Sequence, residues 1–169
     1  CLGVLPHTSD AYRGFKNILK LLKPNGYIAV GLYNKYGRLL QKSRMLLAKT
    51  IFKNSQKMKD YFISLQITDL KDKERLRGWW SNQYLHPYET AYSIGEILRW
   101  FRESGVTYCQ TLPSARLFDQ SVIDISGVWN DFMEKPPCLV ERFLKQLSWI
   151  WATHREGGYW ITFGRKESE

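Results

Sequence analysis

The most constraining stretch of this sequence is residues 3 to 33, where a strand end, a helix, a tight turn and a second strand follow in quick succession. Gly3-Val4-Leu5 closes an apolar opening that runs into the polar turn His7-Thr8-Ser9-Asp10. From Ala11 to Leu22, Phe15, Ile18, Leu19 and Leu22 recur at helical spacing, while Lys16, Lys20 and Lys23 lie off that stripe. Thr8 or Ser9 is expected to cap this helix, and Pro24-Asn25-Gly26 stops it. Tyr27 to Tyr33 is then a nearly continuous apolar run, the pattern of a strand covered on both faces. Two such strands joined by one short helix form a βαβ crossover, which commits the chain to a parallel sheet in an α/β fold.

The chain has 169 residues, of which 44% are apolar and 15% aromatic, so one domain with a buried core is expected rather than a disordered chain. No apolar run approaches the roughly 20 residues of a membrane span, so a soluble protein is expected. Cys1, Cys109 and Cys138 are scattered, which argues against a disulfide framework or a zinc site and for reduced thiols in the cytoplasm. A net charge of +9 favours anionic partners: phosphates, nucleic acid or acidic lipid surfaces. The chain opens on Cys1, within the tail of a buried strand, and is therefore expected to be a fragment of a longer protein.

Beyond Tyr33 the rhythm breaks. A helix from about Arg38 to Phe52 carries Leu39, Leu40, Leu46, Leu47 and Ile51 on one broad side, with Arg38, Lys42, Lys49 and Lys53 clustered beside them. A second short helix is expected over about 55–65, then a charged link and an aromatic loop containing Trp79, Trp80 and Tyr84. Ser93 and Glu96 have the spacing of a capping box, opening a helix that carries Ile94, Ile97, Leu98 and Phe101 and ends at Gly105. Val106 to Leu112 reads as a strand. A helix from Leu139 to about Thr153 is expected to turn Val140, Phe143, Leu144, Leu147, Ile150 and Trp151 inward, and residues 159–165 form a closing strand.

Three stretches in order resemble the class I S-adenosylmethionine-dependent methyltransferases. GVLPHTSDAYRGFKNILKLLKPNGYIAVGLYNKYGR (3–38) is similar to the family's passage from the fourth strand to the fifth. HPYETAYSIGEILRWFRESGVTYCQTLPS (86–114) resembles the helix and sixth strand of a bacterial subset, and GGYWITFGRK (157–166) its last strand. The resemblance implies a Rossmann-like seven-stranded sheet ordered 3-2-1-4-5-7-6, in which only the seventh strand is antiparallel. On that map this chain is a partial methyltransferase domain holding the end of strand four and strands five, six and seven. Residues 34–89 would be a helical cap and residues 114–156 a second helical insertion. The Gly-rich loop after strand one and the ribose-binding acid after strand two fall outside it, and no G-x-G-x-x-G occurs in the sequence. An unpaired side of strand four is an aggregation hazard, so residues 1–169 alone are expected to be unstable and to bind no cofactor.

The resemblance implies methyl transfer from S-adenosylmethionine, with Gly3, Val4, Leu5 and His7 along the methionine part of the cofactor. In open parallel sheets ligands sit at the carboxyl ends of the strands, which singles out residues 3–7 and 33–38. His7 is a candidate base, and so are His86 and Glu89, which flank the start of the capped helix. Tyr33, Tyr36 and Tyr84 are candidate acceptor-pocket residues, and Arg38 a binder for an anionic group on the acceptor. Against these roles stand core packing for the tyrosines, a solvated helix face for Arg38 and turn roles for His86 and Glu89. The acceptor is read as a small molecule or a cell-envelope precursor. One alternative is an RNA-modifying methyltransferase gripping phosphates with the basic helix 38–53, nucleic acid being the less favoured partner. The other is a non-enzymatic remnant that only binds.

Overall fold

In the computed structural model of the protein the described residues are 1–50, 57, 60, 61, 78, 89–117, 135–152 and 158–168. They include strands β1 (Tyr27–Tyr33), β2 (Val106–Leu112) and β3 (Tyr159–Lys166), and helices α1 (Ala11–Leu21), α2 (Leu39–Thr50), α3 (Ile94–Glu103) and α4 (Leu139–Ala152). A 3-10 turn covers Leu5–His7. The expected helix over 55–65 and the aromatic loop lie outside the described residues, save for Lys57, Asp60 and Tyr61, which are helical.

The sheet order is β1-β3-β2, with β3 antiparallel to both neighbours. Pairing runs from Tyr27↔Arg165 to Tyr33↔Tyr159 on one side of β3. On the other it runs from Val106↔Lys166 to Leu112↔Ile161, with a register shift between Tyr108 and Gln110. The last strand in sequence is thus the middle one in space. On the opposite edge of β1, Leu2 makes a parallel bridge with Gly31, and the Gly31 N–H donates to the Cys1 carbonyl at 2.9 Å. The opening residues therefore lie parallel to β1, as the strand–helix–strand reading of the sequence requires.

The core follows the stripes of α1 and α3. Phe15 and Leu19 of α1 are buried, as are Ile94, Ile97, Trp100 and Phe101 of α3. Phe15 and Phe101 stack with ring centroids 5.7 Å apart. Both halves of the Ser93/Glu96 capping box are formed, and Gly105 takes the positive φ (+61°) that ends the helix. Burial raises the Glu96 carboxyl. The Lys35 ammonium at 2.8 Å and the Ser93 N–H and hydroxyl outweigh that and hold it below its usual range.

Two expectations need correction, and α2 behaves like the second. The cap of α1 is Asp10, which accepts from the Arg13 N–H at 2.9 Å, because Thr8 turns back to the Leu5 carbonyl. In α4 most of the expected inward stripe faces out: Val140, Phe143, Leu144 and Trp151 are exposed and Leu147 and Ile150 are half-buried, while Gln146 and Trp149 are buried. In α2, Leu39, Leu46 and Leu47 are exposed, while Gln41 is buried with Arg38 just before the helix. The same physical cause acts in both helices. In α4 Gln146 accepts from Asn34 and from the Ile94 N–H, and just before α2 Arg38 is held by Glu89; keeping these polar groups inside turns the leucines outward.

Candidate functional site at the carboxyl end of β1

Beyond Tyr33 the backbone turns on one side chain. The buried Asn34 carboxamide oxygen accepts from the N–H groups of Tyr36 (2.9 Å) and Gly37 (3.1 Å), an Asx-type cap for the turn leading into α2. Its Nδ2 donates to Gln146 Oε1 of α4 at 3.0 Å, and the same oxygen accepts from the Ile94 N–H, the first of α3, at 2.9 Å. The Asn34 N–H donates to the Gly158 carbonyl at 2.8 Å. Gly158 has a φ of +78°, and a Cβ there would stand 2.5 Å from the Gly37 carbonyl carbon. Only glycine permits this approach of the turn before β3 to the start of α2.

Arg38 follows, and it is fully buried. Its Nε donates to Glu89 Oε1 at 2.7 Å and an Nη2 donates to the other carboxylate oxygen, a bidentate pair. The guanidinium lies 4.0 Å from the centroid of the Tyr33 ring. His7 sits edge-on to that ring at 6.0 Å, and Tyr159 edge-on at 5.7 Å. A Cβ on Gly31 would come within 1.8 Å of the Tyr159 hydroxyl, so this phenol rests on bare backbone. Burial, then the neighbouring Tyr33, pushes the Tyr159 hydroxyl above its ordinary value.

Residues 89–92 form a strap that ties these parts together. The Thr90 N–H and hydroxyl both donate to the Pro6 carbonyl, at 2.9 and 3.1 Å. The Tyr92 N–H donates to the Tyr33 carbonyl at 2.7 Å, and the Lys35 N–H to the Tyr92 carbonyl at 3.2 Å. The 3-10 turn, the end of β1 and the start of α2 are thereby held in one cluster.

Of the candidates named from the sequence, the structure gathers His7, Tyr33, Arg38 and Glu89. Arg38 and Glu89 engage each other, so neither lies on a solvated face. Tyr36 stands aside, edge-on to Phe143 at 6.1 Å. Gly3 has a φ of +70° with open space where a side chain would be, and Val4 is 58% exposed. Leu5 is sealed in the core, which leaves only its backbone for any ligand. Tyr84 and His86 lie outside the described residues. Sequence reasoning missed Asn34, Gln146 and Tyr159. The Asn34-x-x-Gly37 spacing at a strand end is a cap signal that could have marked the first. Gln146 carries no signal, since it is one of five polar residues on α4 and nothing in the sequence sets it apart. Among the described residues no group of three or more His, Cys, Asp or Glu could hold a metal ion.

No family model matches the chain. An uncharacterised protein of Synechococcus sp. is 26% identical over 127 residues, which is 64% of this chain and 30% of that protein. Among solved structures, PKMT2 from Rickettsia typhi in complex with AdoHcy matches with a TM-score of 0.62 at 13% identity, over 100% of this chain and 35% of PKMT2. A second structure of PKMT2 matches with a TM-score of 0.58 at 12% identity, over 99% and 36%. The chain shares its fold with that part of PKMT2. It spans about a third of the length of each relative it matches.

Proposed function

We propose that the chain belongs to an S-adenosylmethionine-dependent methyltransferase and forms the acceptor-side part of its catalytic domain. The observation that carries this reading is the sheet. Its order β1-β3-β2, with only the middle strand antiparallel, is the order 5-7-6 that the sequence resemblance implies. The parallel bridge from Leu2 to Gly31 fits the end of strand four beside strand five. The shared fold with PKMT2, whose structure holds AdoHcy, supports the same reading over the whole chain. On it, residues 34–89 are a cap over the acceptor and 114–156 a second insertion.

The residues present fit one wall of the cofactor site. Leu5 and Pro6 anchor the 3-10 turn in the core, while Gly3 and Val4 leave an accessible backbone and side chain beside β1. Gly3, Val4 and His7, with the Leu5 backbone, would line the methionine side. S-adenosylmethionine, when bound, supplies an electrophilic methyl group. The chain's own contribution is placement, because methyl transfer depends mainly on holding the acceptor in line and, for O–H or N–H acceptors, on taking up a proton. His7, against Tyr33, is the candidate for that proton. Glu89, with both oxygens engaged by Arg38, is better placed to fix the site than to act as its base.

For the acceptor we retain a small molecule or cell-envelope precursor. A protein lysine is the second reading, favoured by the likeness to PKMT2, a protein lysine methyltransferase. Gripping of RNA by helix 38–53 loses support, since Arg38 is buried against Glu89. Titration of the full-length protein with S-adenosylmethionine, followed by transfer of labelled methyl to acceptor pools, tests the proposal. Micromolar cofactor binding and a labelled acceptor are expected, and absence of cofactor binding would overturn it.

A further inference from the structure

Two helices leave their apolar faces uncovered. On α2, Leu39, Leu46 and Leu47 are 49%, 63% and 39% exposed. Leu39 and Leu46 lie within about 20° of one another around the helix axis, and Leu47 about 80° from Leu39. On α4, Val140, Phe143 and Trp151 are 65%, 47% and 70% exposed. The surfaces adjoin where Phe143 meets the ring of Tyr36, whose carbonyl accepts from the Leu39 N–H at the start of α2. Nothing in the core explains leucines at these positions, because the inner side of α2 is polar.

Charge decides among the possible occupants. Within α2 the sequence places Lys42, Arg44 and Lys49 and no Asp or Glu, and Lys42 is exposed beside the leucine stripe. A second copy would set one acid-free basic helix against another. A nucleic acid could use the cations but would leave the leucines, the α4 stripe and Trp151 in water. An anionic bilayer surface accepts all three: leucines in the acyl boundary, tryptophan at the interface and lysines among the headgroups. Among the described residues no helix is long and apolar enough to cross a membrane. We propose that the exposed face of α2, with the adjoining stripe of α4, docks the protein on anionic lipid membranes.

This does not rest on methyl transfer, and its test needs no cofactor. The full-length protein is floated with vesicles of phosphatidylglycerol and phosphatidylcholine, and with vesicles of phosphatidylcholine alone. It is expected to partition onto the anionic vesicles and to be released as salt rises. Leu46→Asp is expected to weaken partitioning by tenfold or more, since ~10 Å of Debye screening cannot replace buried hydrocarbon. Lys42→Ala is expected to weaken it about fivefold, the effect of one cation at an anionic surface. Leu21→Asp, on a leucine of α1 that is 86% exposed, is expected to change nothing and controls for exposed leucines in general. The proposal is overturned if the protein ignores anionic vesicles, or if Leu46→Asp binds as well as the parent. It is equally overturned if sedimentation reveals a dimer that Leu46→Asp dissociates, which would make this face a contact between copies.

Discussion

Helices α1 and α3 on one hand, and α2 and α4 on the other, treat their apolar residues in opposite ways, and the first pair is the more sharply amphipathic. The first pair buries the stripe: Phe15, Leu19, Ile97 and Phe101 are all within the core. The second pair buries polar groups instead, Gln146 in α4, and Gln41 in α2 with Arg38 just before it, and leaves leucines outside. An apolar stripe records where apolar residues lie. Which face of a helix is buried also depends on the hydrogen bonds and ion pairs that its other face can make, and a bidentate pair or a doubly bonded carboxamide can decide it.

The sharpest way to break this comparison is to truncate one residue on each side of it. Phe15→Ala is expected to destabilise the full-length protein by about 3–5 kcal/mol in denaturant titration, against less than about 0.5 kcal/mol for Leu46→Ala. Equal costs would mean that the α2 leucines are covered after all. Glu89→Ala should cost about as much, roughly 3–5 kcal/mol, because it strands the buried Arg38 cation, whereas Arg38→Met combined with Glu89→Leu should recover most of the loss. A cost below that of a surface substitution would remove the ion pair as the reason for the orientation of α2.

Gln146→Ala is the corresponding test for α4. It leaves the Ile94 N–H and the Asn34 carboxamide without their acceptor and should cost about 1–3 kcal/mol by the same titration. Ser93→Ala removes the capping box of α3 and should cost about 1 kcal/mol, with thermal melting as the readout. The smallest effect concerns Glu96. Its folded carboxyl is held below the ordinary 4.5, so the folded state gives up this proton more readily than the unfolded chain. The stability it adds is therefore present above pH 4.5 and is lost as pH falls through the lowered value. Glu96→Gln, which keeps the capping geometry, should melt slightly below the parent at pH 7, with the gap closing as acidification carries the pH below 4.5 and through the lowered value.

Much of the fold was legible. The α1, β1, α3 and β2 segments, the capping box and the closing strand follow from periodicity, turn residues and caps, which are local properties. The cluster offered as a candidate site sits at the strand ends, residues 3–7 and 33–38, that the rule for ligands in open sheets singles out from the sequence. What sequence could not supply was the partner of each group. Arg38 reads as a solvated helix residue until Glu89 arrives from 51 positions away to meet it. Gln146 reads as a polar interruption until Asn34 and Ile94 both reach it. Such pairings depend on how distant segments meet, and neither residue's neighbours in sequence encode that.

Asn34 carries a consequence for the order in which the molecule forms. Its side chain joins Gln146, which is 112 residues away, and its own β-bridge partner Tyr92 is 58 away. Loops of that length close late, since their entropy must be lost before the contact repays it. The carboxamide is therefore expected to act as a clasp that closes late in folding, together with the equally distant pairing of β1 and β3. Loosening it should leave the speed of folding nearly untouched and shorten the lifetime of the folded state, so that Asn34 governs how long the strand end and its neighbours stay assembled rather than how quickly they find each other.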